Sequence, residues 1–337
     1  MSTATRRVLL PSSIALMLVF AFPAAGEQSL ATVSGDGNAQ FTSNSGKIFN
    51  VDVNLVNLYF VTKGKHGALV PNLTPDQFEV LENGKAQTIK YFKSTAAQPL
   101  TLGLLVDTSR SERRVLSFEQ QVGTQFLNEA LQTKDLAFLI SFDVEVDLMH
   151  DLTGPGGALT MALHQMQINA PPDGAWISGS TGEIAPRSAP GALLYDAIYL
   201  ACSDKMRHEV GRKVLIILTD GFDQGSQATM RQAIESAQTS DTSVYVLLLF
   251  NPVFGSDVSD MRRLCKETGG RMMMVDKKAD NRQLELQQLC DELRSQYYIG
   301  YVSTDKRADG TFRKVEVRTK ESGYHIQVRK GYYAPKG

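Results

Sequence analysis

Two short apolar runs, each stopped by an aspartate, do most to limit what this chain can fold into. One is Thr101 to Asp107 (TLGLLVD), which leads into Thr108, Ser109, Arg110 and Ser111. The other is Lys213 to Thr219 (KVLIILT), which leads into Asp220 and Gly221. A continuous apolar run of this length reads as a strand buried on both faces, the kind found inside parallel sheets. In open α/β sheets, ligands bind just beyond the carboxyl ends of such strands. Asp107 and Asp220 are therefore expected on that rim, with Ser109 and Ser111 close behind. All four offer hard oxygen atoms, a donor set that suits Mg²⁺ or Ca²⁺ and not zinc.

The middle of the chain repeats this rhythm. Strand-like runs fall near 101–107, 136–142, 144–149, 213–219, 243–250 and 271–275. Helical patterns alternate with them near Arg114–Leu131, Ala158–Met166, Ala192–Met206, Ala228–Thr239, Val258–Thr268 and Asn281–Gln296. Alternation of this kind predicts an α/β fold, a doubly wound and mostly parallel sheet with helices on both faces. The flanks are β-rich instead. Phe78–Glu82 and Gln87–Phe92 are strands joined at Asn83-Gly84, a strong hairpin signal, and Phe49–Thr62 precedes them. Tyr297–Val302, Phe312–Lys320 and Tyr324–Lys330 are strand-like downstream. Neither flank can bury a core alone, so the two are expected to join into one small β-sandwich holding the α/β unit as an insertion. The implied boundaries are 48–97 and 297–335 for the sandwich and 98–296 for the inserted domain.

Ahead of the sandwich lies an export address. Arg6 and Arg7 precede the apolar stretch Val8–Phe22, interrupted by Pro11 and two serines, and Pro23 to Gly26 (PAAG) supplies small residues for cleavage before Glu27. Residues 1–26 read as a secretory signal peptide, too short and broken for a comfortable membrane span; an uncleaved anchor is the alternative. Residues 27–47, small and polar, read as a flexible leader. A secreted, periplasmic or cell-envelope location follows, with no stable membrane span once the signal is cut. Cleavage removes two arginines and no acid, so the net charge goes from −1 to −3. That balance exerts no bulk pull toward nucleic acid or acidic membranes. The three cysteines, Cys202, Cys265 and Cys290, sit among apolar neighbours in helical patterns. The helices of Cys265 and Cys290 flank the last strand and belong on opposite faces of a doubly wound sheet, so buried free thiols are expected.

Asp107-x-Ser109-x-Ser111 after a first strand and Thr219-Asp220-Gly221 after a later one resemble the metal-ion-dependent adhesion site of von Willebrand factor A domains. Tyr195 to Ile198 (YDAI), Glu267 to Gly270 (ETGG) and Glu292 to Tyr297 (ELRSQY) extend the likeness over about residues 98–300. With its β-rich flanks the chain is most similar to the secreted bacterial subgroup called acidobacterial von Willebrand factor A-related proteins. The resemblance implies Ser109 and Ser111 as direct hydroxyl ligands of Mg²⁺ (or Mn²⁺ or Ca²⁺), with Asp107 and Asp220 holding the ion directly or through water. Few direct carboxylates leave such an ion under-neutralised, and it then attracts an acidic group from a partner. Two residues depart from the pattern. Ala192, in Gly191 to Asp196 (GALLYD), stands where a threonine ligand is expected, and Arg110 stands where the pattern often has glycine. Water, Ser188 or Thr181 would have to supply the missing oxygen.

These features together imply a secreted, non-enzymatic binding module for a protein or other acidic ligand, with no catalytic residue assigned. One alternative is a metal-free envelope scaffold in which Asp107 and Ser109 cap a helix starting near Ser111 and Asp220-Gly221 forms a turn. Another is a Mg²⁺-dependent phosphohydrolase, whose chemistry needs a second acid two residues beyond Asp107, where the chain has Ser109. The long 168–190 loop, with the sole tryptophan Trp176, is expected to overhang the same rim. Asp223 and Ser226 read as caps of the helix that follows them.

Overall fold

The computed structural model describes three short strands before residue 55, and then residues 55–169, 191–221, 223–249, 258–275 and 279–336. The expected signal peptide and the loop from residue 170 onward, with Trp176, Thr181 and Ser188, lie outside the described residues. The chain divides into two units, Met1–Leu55 and Val56–Gly337. In the first, β1 (Leu30–Val33), β2 (Ala39–Thr42) and β3 (Ile48–Val51) form an antiparallel sheet in that order.

The second unit takes up all but the first residue of β4 (Leu55–Lys63), then β5 (Phe78–Glu82), β6 (Lys85–Gln87) and β7 (Ile89–Ser94). The α/β part then runs β8 (Leu100–Asp107), α1 (Leu116–Ala130), β9 (Leu136–Phe142), β10 (Val146–Thr153), α2 (Gly157–Gln165), α3 (Leu194–Leu200), β11 (Arg212–Thr219), α4 (Met230–Thr239), β12 (Thr242–Leu249), α5 (Val258–Thr268), β13 (Met272–Val275) and α6 (Ala279–Arg294). The strands β14 (Tyr297–Val302), β15 (Phe312–Thr319), β16 (His325–Val328) and β17 (Gly331–Tyr333) follow.

Six strands form the α/β sheet in the order β10-β9-β8-β11-β12-β13. All neighbours are parallel except β10, which runs antiparallel to β9 at the edge. Alternate residues of the buried strands serve opposite faces, as period-two geometry requires. Leu102, Leu104 and Val106 join α1, α2 and α6 in one core, while Leu105, Leu215 and Ile217 join α3, α4 and α5 in the other. The expected fold class is therefore present: a doubly wound, mostly parallel sheet, accompanied by antiparallel sheets built from the flanks. Cys265 lies in one core and Cys290 in the other, and all three thiols are free and buried.

Two four-stranded antiparallel sheets, β16-β4-β14-β7 and β17-β15-β5-β6, share a third core that includes Leu58, Phe60, Val80, Ile299, Tyr301 and Val315. The β5–β6 hairpin turns at Asn83 and Gly84, whose φ values of 48° and 79° are those of a type I′ turn. The segments on either side of Ser322-Gly323 do not pair with each other as a hairpin. β15 pairs with β5 and β17, while β16 crosses to the other sheet and pairs with β4. The alternating apolar pattern specifies which face of each strand is buried, not which sheet it joins.

The two parts of this unit are joined opposite the rim. Thr95 donates both its N–H and its hydroxyl to the Gln296 carbonyl, each at 2.9 Å, so the chain enters and leaves the α/β part at one point. The buried Arg212, at the start of β11, donates to the Thr95 carbonyl and hydroxyl at 3.0 Å. Near the end of α6, the buried Glu292 accepts from Lys63 on β4 (2.7 Å), Arg271 before β13 (2.5 Å) and Gln327 on β16 (2.8 Å).

The Gly269-Gly270 pair ends α5. Gly269 takes a positive φ of 87°, the left-handed conformation that glycine adopts without strain at a helix C-terminus. At Gly270 a Cβ would fall 1.9 Å from the Val244 carbonyl oxygen, a backbone atom held in β12. Gly270→Ala is therefore expected to lower stability by about 3 kcal/mol, the upper end of overpacking costs, read as a fall in the urea midpoint.

Candidate metal centre at the sheet rim

Strands β8 and β11 are neighbours, but their connections diverge. β8 leads to α1 on one face and β11 leads to α4 on the other. A crevice opens at such a switch point, at the carboxyl ends of the strands. Asp107 is the last residue of β8, and Asp220 is the first after β11. The structure adds a third acid: carboxylate oxygens of Asp107, Glu112 and Asp220 all lie within 4.8 Å of one another. Their exposures are 0%, 0% and 1%.

Hydrogen bonds set the first of these carboxylates. Asp107 Oδ1 accepts from the Ser109 N–H at 3.0 Å, and Oδ2 accepts from the Thr219 hydroxyl at 2.7 Å. Thr219 in turn receives the Gly221 N–H at 3.0 Å, which orients its hydroxyl toward Asp107. Ser109 and Ser111 bring their hydroxyl oxygens to 3.0 Å from each other. Ser109 occupies the N-cap position of the short 3-10 turn Arg110–Arg114, yet its side chain makes no capping hydrogen bond. The capping role considered for Ser109 is thus not taken up, and its hydroxyl meets Ser111 and Asp107 instead. Thr108 points elsewhere, donating to Asp143 Oδ2 at 2.6 Å and tying the turn to the segment after β9.

The acids are held at an electrostatic cost. Burial, and next the charge of Asp220, pushes Asp107 up to about 7 against the hydrogen bonds from Ser109 and Thr219. Burial, followed by the charges of Asp107 and Asp220, pushes Glu112 up to about 9. Glu119, fully buried one step further in, is raised well above the ordinary carboxylic range by burial and then by Glu112. Both oxygens of Glu112 and both of Glu119 lack a hydrogen-bond partner of normal geometry.

Neither glutamate was singled out in the sequence, although a signal existed. Glu112, Val115, Glu119, Val122 and Phe126 follow the i, i+3, i+4 spacing of one buried helix face. Two acids on an apolar stripe mark a site where burial costs free energy unless a partner, a cation or a proton neutralises them.

Ala192 is buried against the core of the α3 face and brings no oxygen to the rim. Its neighbours are fixed by Gly191 N–H to the Gln224 carbonyl (2.7 Å), Gln224 N–H to the Ala192 carbonyl (2.8 Å) and Leu193 N–H to the Asp143 carbonyl (2.9 Å). Arg110 is exposed. Asp223 and Ser226 do not cap the helix after them, and that reading is corrected. Asp223 Oδ1 accepts from the Tyr195 N–H at 3.1 Å and Ser226 Oγ from the Asp196 N–H at 3.1 Å, so they cap α3. Asp196 returns the contact to the Gln227 and Ala228 N–H groups, and α4 is capped instead by Thr229 with Gln232. Sequence adjacency suggested the nearer helix; the fold brings the loop after β11 against the one before it.

As a donor set, three buried carboxylates with a pair of hydroxyls close by fit a hard divalent cation. The buried oxygens of Glu112, which make no hydrogen bond of normal geometry, are the feature such an ion would explain.

No family model and no curated protein matches the chain. Among solved structures it is similar to a von Willebrand factor type A protein from Catenulispora acidiphila, 10% identical over 85% of this chain and 75% of that one, with a TM-score of 0.47. It is also similar to the conserved hypothetical protein BatB from Bacteroides thetaiotaomicron, 16% identical over 58% of this chain and 100% of that one, with a TM-score of 0.43. A third is proximal thread matrix protein 1 from the mussel byssus, with a zinc-occupied MIDAS motif. It is 11% identical over 63% of this chain and 49% of that one, with a TM-score of 0.45. At such identities and TM-scores, the α/β fold class of this chain is carried by its own strand order, its edge strand and its two covered faces.

Proposed function

We propose that the chain is a non-enzymatic recognition module of the von Willebrand factor A type, with a divalent cation at its rim between Asp107 and Asp220. The observation that carries this is the convergence of buried carboxylates at the switch point of the sheet. Ser109 and Ser111 add hydroxyl oxygens beside them. A bound Mg²⁺, Mn²⁺ or Ca²⁺ would supply a hard positive charge at the rim, where a protein or other acidic ligand can reach it. A signal peptide in the first residues would put this activity outside the cytoplasm. Among the described residues no helix is long and apolar enough to cross a membrane.

The test is a calorimetric titration of Mg²⁺ and Mn²⁺ into the purified chain and into Asp107→Ala. Saturable binding in the first and none in the second is expected. Absence of binding in both would favour the metal-free scaffold, to which the missing hydroxyl at Ala192 points. A scaffold of that kind would also keep its partners in the presence of a chelator.

A further inference from the structure

We propose that Glu112 is itself a ligand of the rim ion, so that three carboxylates of this chain hold the cation. This rests on the reading of the rim as a divalent-cation site and changes what that site can do.

The backbone places Glu112 for this role. Its N–H donates to the Ser109 carbonyl at 3.0 Å and its carbonyl accepts from Val115 at 2.8 Å, which locks the 3-10 turn linking Ser109 to α1. The turn carries the side chain inward between the two strand ends, within 4.8 Å of both aspartates. There it is fully buried and neither oxygen makes a hydrogen bond of normal geometry; the polar groups that interact with it are the carboxyl and N–H of Asp220 and the carboxyl of Glu119. A carboxyl in that position is costly unless a cation or donors meet it. Glu119, also fully buried, interacts with Glu112 and adds a second acid to it rather than a base to neutralise it. Meanwhile Ala192 removes one oxygen from the opposite side of the crevice, and Glu112 adds one.

The change alters the charge balance of the site. Two aspartates leave a divalent ion just neutralised on paper, and less than that where they act through water. Three carboxylates exceed its charge. The ion would then be retained by the chain alone, and an acidic partner would compete with Glu112 instead of filling a vacancy. Affinity in oxygen cages rises with the number of charged ligands.

The experiment is Mn²⁺ calorimetry on the purified wild-type chain, Asp107→Ala, Glu112→Gln and Glu119→Gln. Anomalous scattering from Mn²⁺ in crystals of the wild type then locates the ion. Glu112→Gln keeps the shape and hydrogen-bonding capacity of the side chain while deleting its charge. It is expected to weaken Mn²⁺ binding by about tenfold or more, with Glu119→Gln within about threefold of wild type. The ion is expected within about 2.5 Å of a Glu112 carboxylate oxygen. Wild-type binding that Asp107→Ala abolishes and Glu112→Gln leaves unchanged would overturn this proposal and keep the metal site. An ion located away from Glu112, or equal losses in the two glutamate variants, would overturn it as well. No binding to the wild type would remove both readings together.

Discussion

Replacing Arg313 with methionine is expected to destabilise the chain by about 3–5 kcal/mol, the range found when one member of a buried ion pair is removed. Arg313 on β15 and Glu82 at the end of β5 are 1% and 2% exposed, with Nη1 and Oε1 3.7 Å apart. Glu82 also accepts from the hydroxyls of Tyr301 (2.9 Å), Ser303 (2.7 Å) and Tyr332 (2.9 Å). Arg313 donates to Ser303 Oγ at 3.1 Å, to the Asp305 carbonyl at 2.6 Å and to the Arg307 carbonyl. Deleting the guanidinium leaves a buried carboxylate without its cation and two loop carbonyls without a donor. Urea unfolding would measure the loss. A double variant, Glu82→Leu with Arg313→Met, should cost less than the two single changes added together, because it orphans no charge. A loss under about 1 kcal/mol for Arg313→Met would show that water reaches this network and that it is not a buried pair in effect.

The second large effect concerns pH in the metal-free chain. Asp107 and Glu112 have ordinary values of 3.8 and 4.5, and the folded rim raises them to about 7 and about 9. An acid raised in this way keeps its proton in the native state while the unfolded chain gives it up. Native protons then outnumber unfolded ones, and stability falls as pH rises. The contribution is complete below the unfolded values, declines through the neutral range and is spent once pH passes about 9. From about pH 5 to about pH 9 the two groups are expected to remove on the order of 3–5 kcal/mol, allowing for relaxation of the ionised site. Thermal melts in chelator should show this decline. Saturating Mg²⁺ should flatten it, because the ion takes the place of the protons, and Glu112→Gln should flatten it in part without any metal. A metal-free melting temperature that does not change across this range would contradict the buried, charge-crowded rim described above.

The aspartates were legible in the sequence because they interrupt apolar runs. An acid closing a strand buried on both faces stands out from the apolar run before it, so Asp107 and Asp220 marked the ends of β8 and β11 directly. The doubly wound sheet was legible for the same reason, and most of its strands lie within a residue or two of where the apolar runs place them. Glu112 and Glu119 were harder to read. Beside Arg113, Arg114 and Gln120 they pass for the solvated face of a helix, and only the phase of Val115, Val122 and Phe126 shows them pointing inward. Asp223 and Ser226 were misassigned because a cap is recognised by its neighbours along the chain, whereas these two reach a helix that precedes them. The exchange of β16 between sheets was not legible either, since an alternating strand carries no mark of which of two sheets it will join.

The shared entry and exit of the α/β part bears on the order in which the molecule assembles. β7 pairs with β14 through Ser94 and Tyr297, residues separated by the whole of that part. Closing a flexible loop of about 200 residues costs ~5 kcal/mol of chain entropy before the pair contributes anything. A parallel sheet that has already formed brings residues 95 and 296 together through the bonds at Thr95, and the loop is then closed in advance. The flanking strands should therefore be the late-folding region of this chain, with their pairing rate set by how quickly the insertion becomes native.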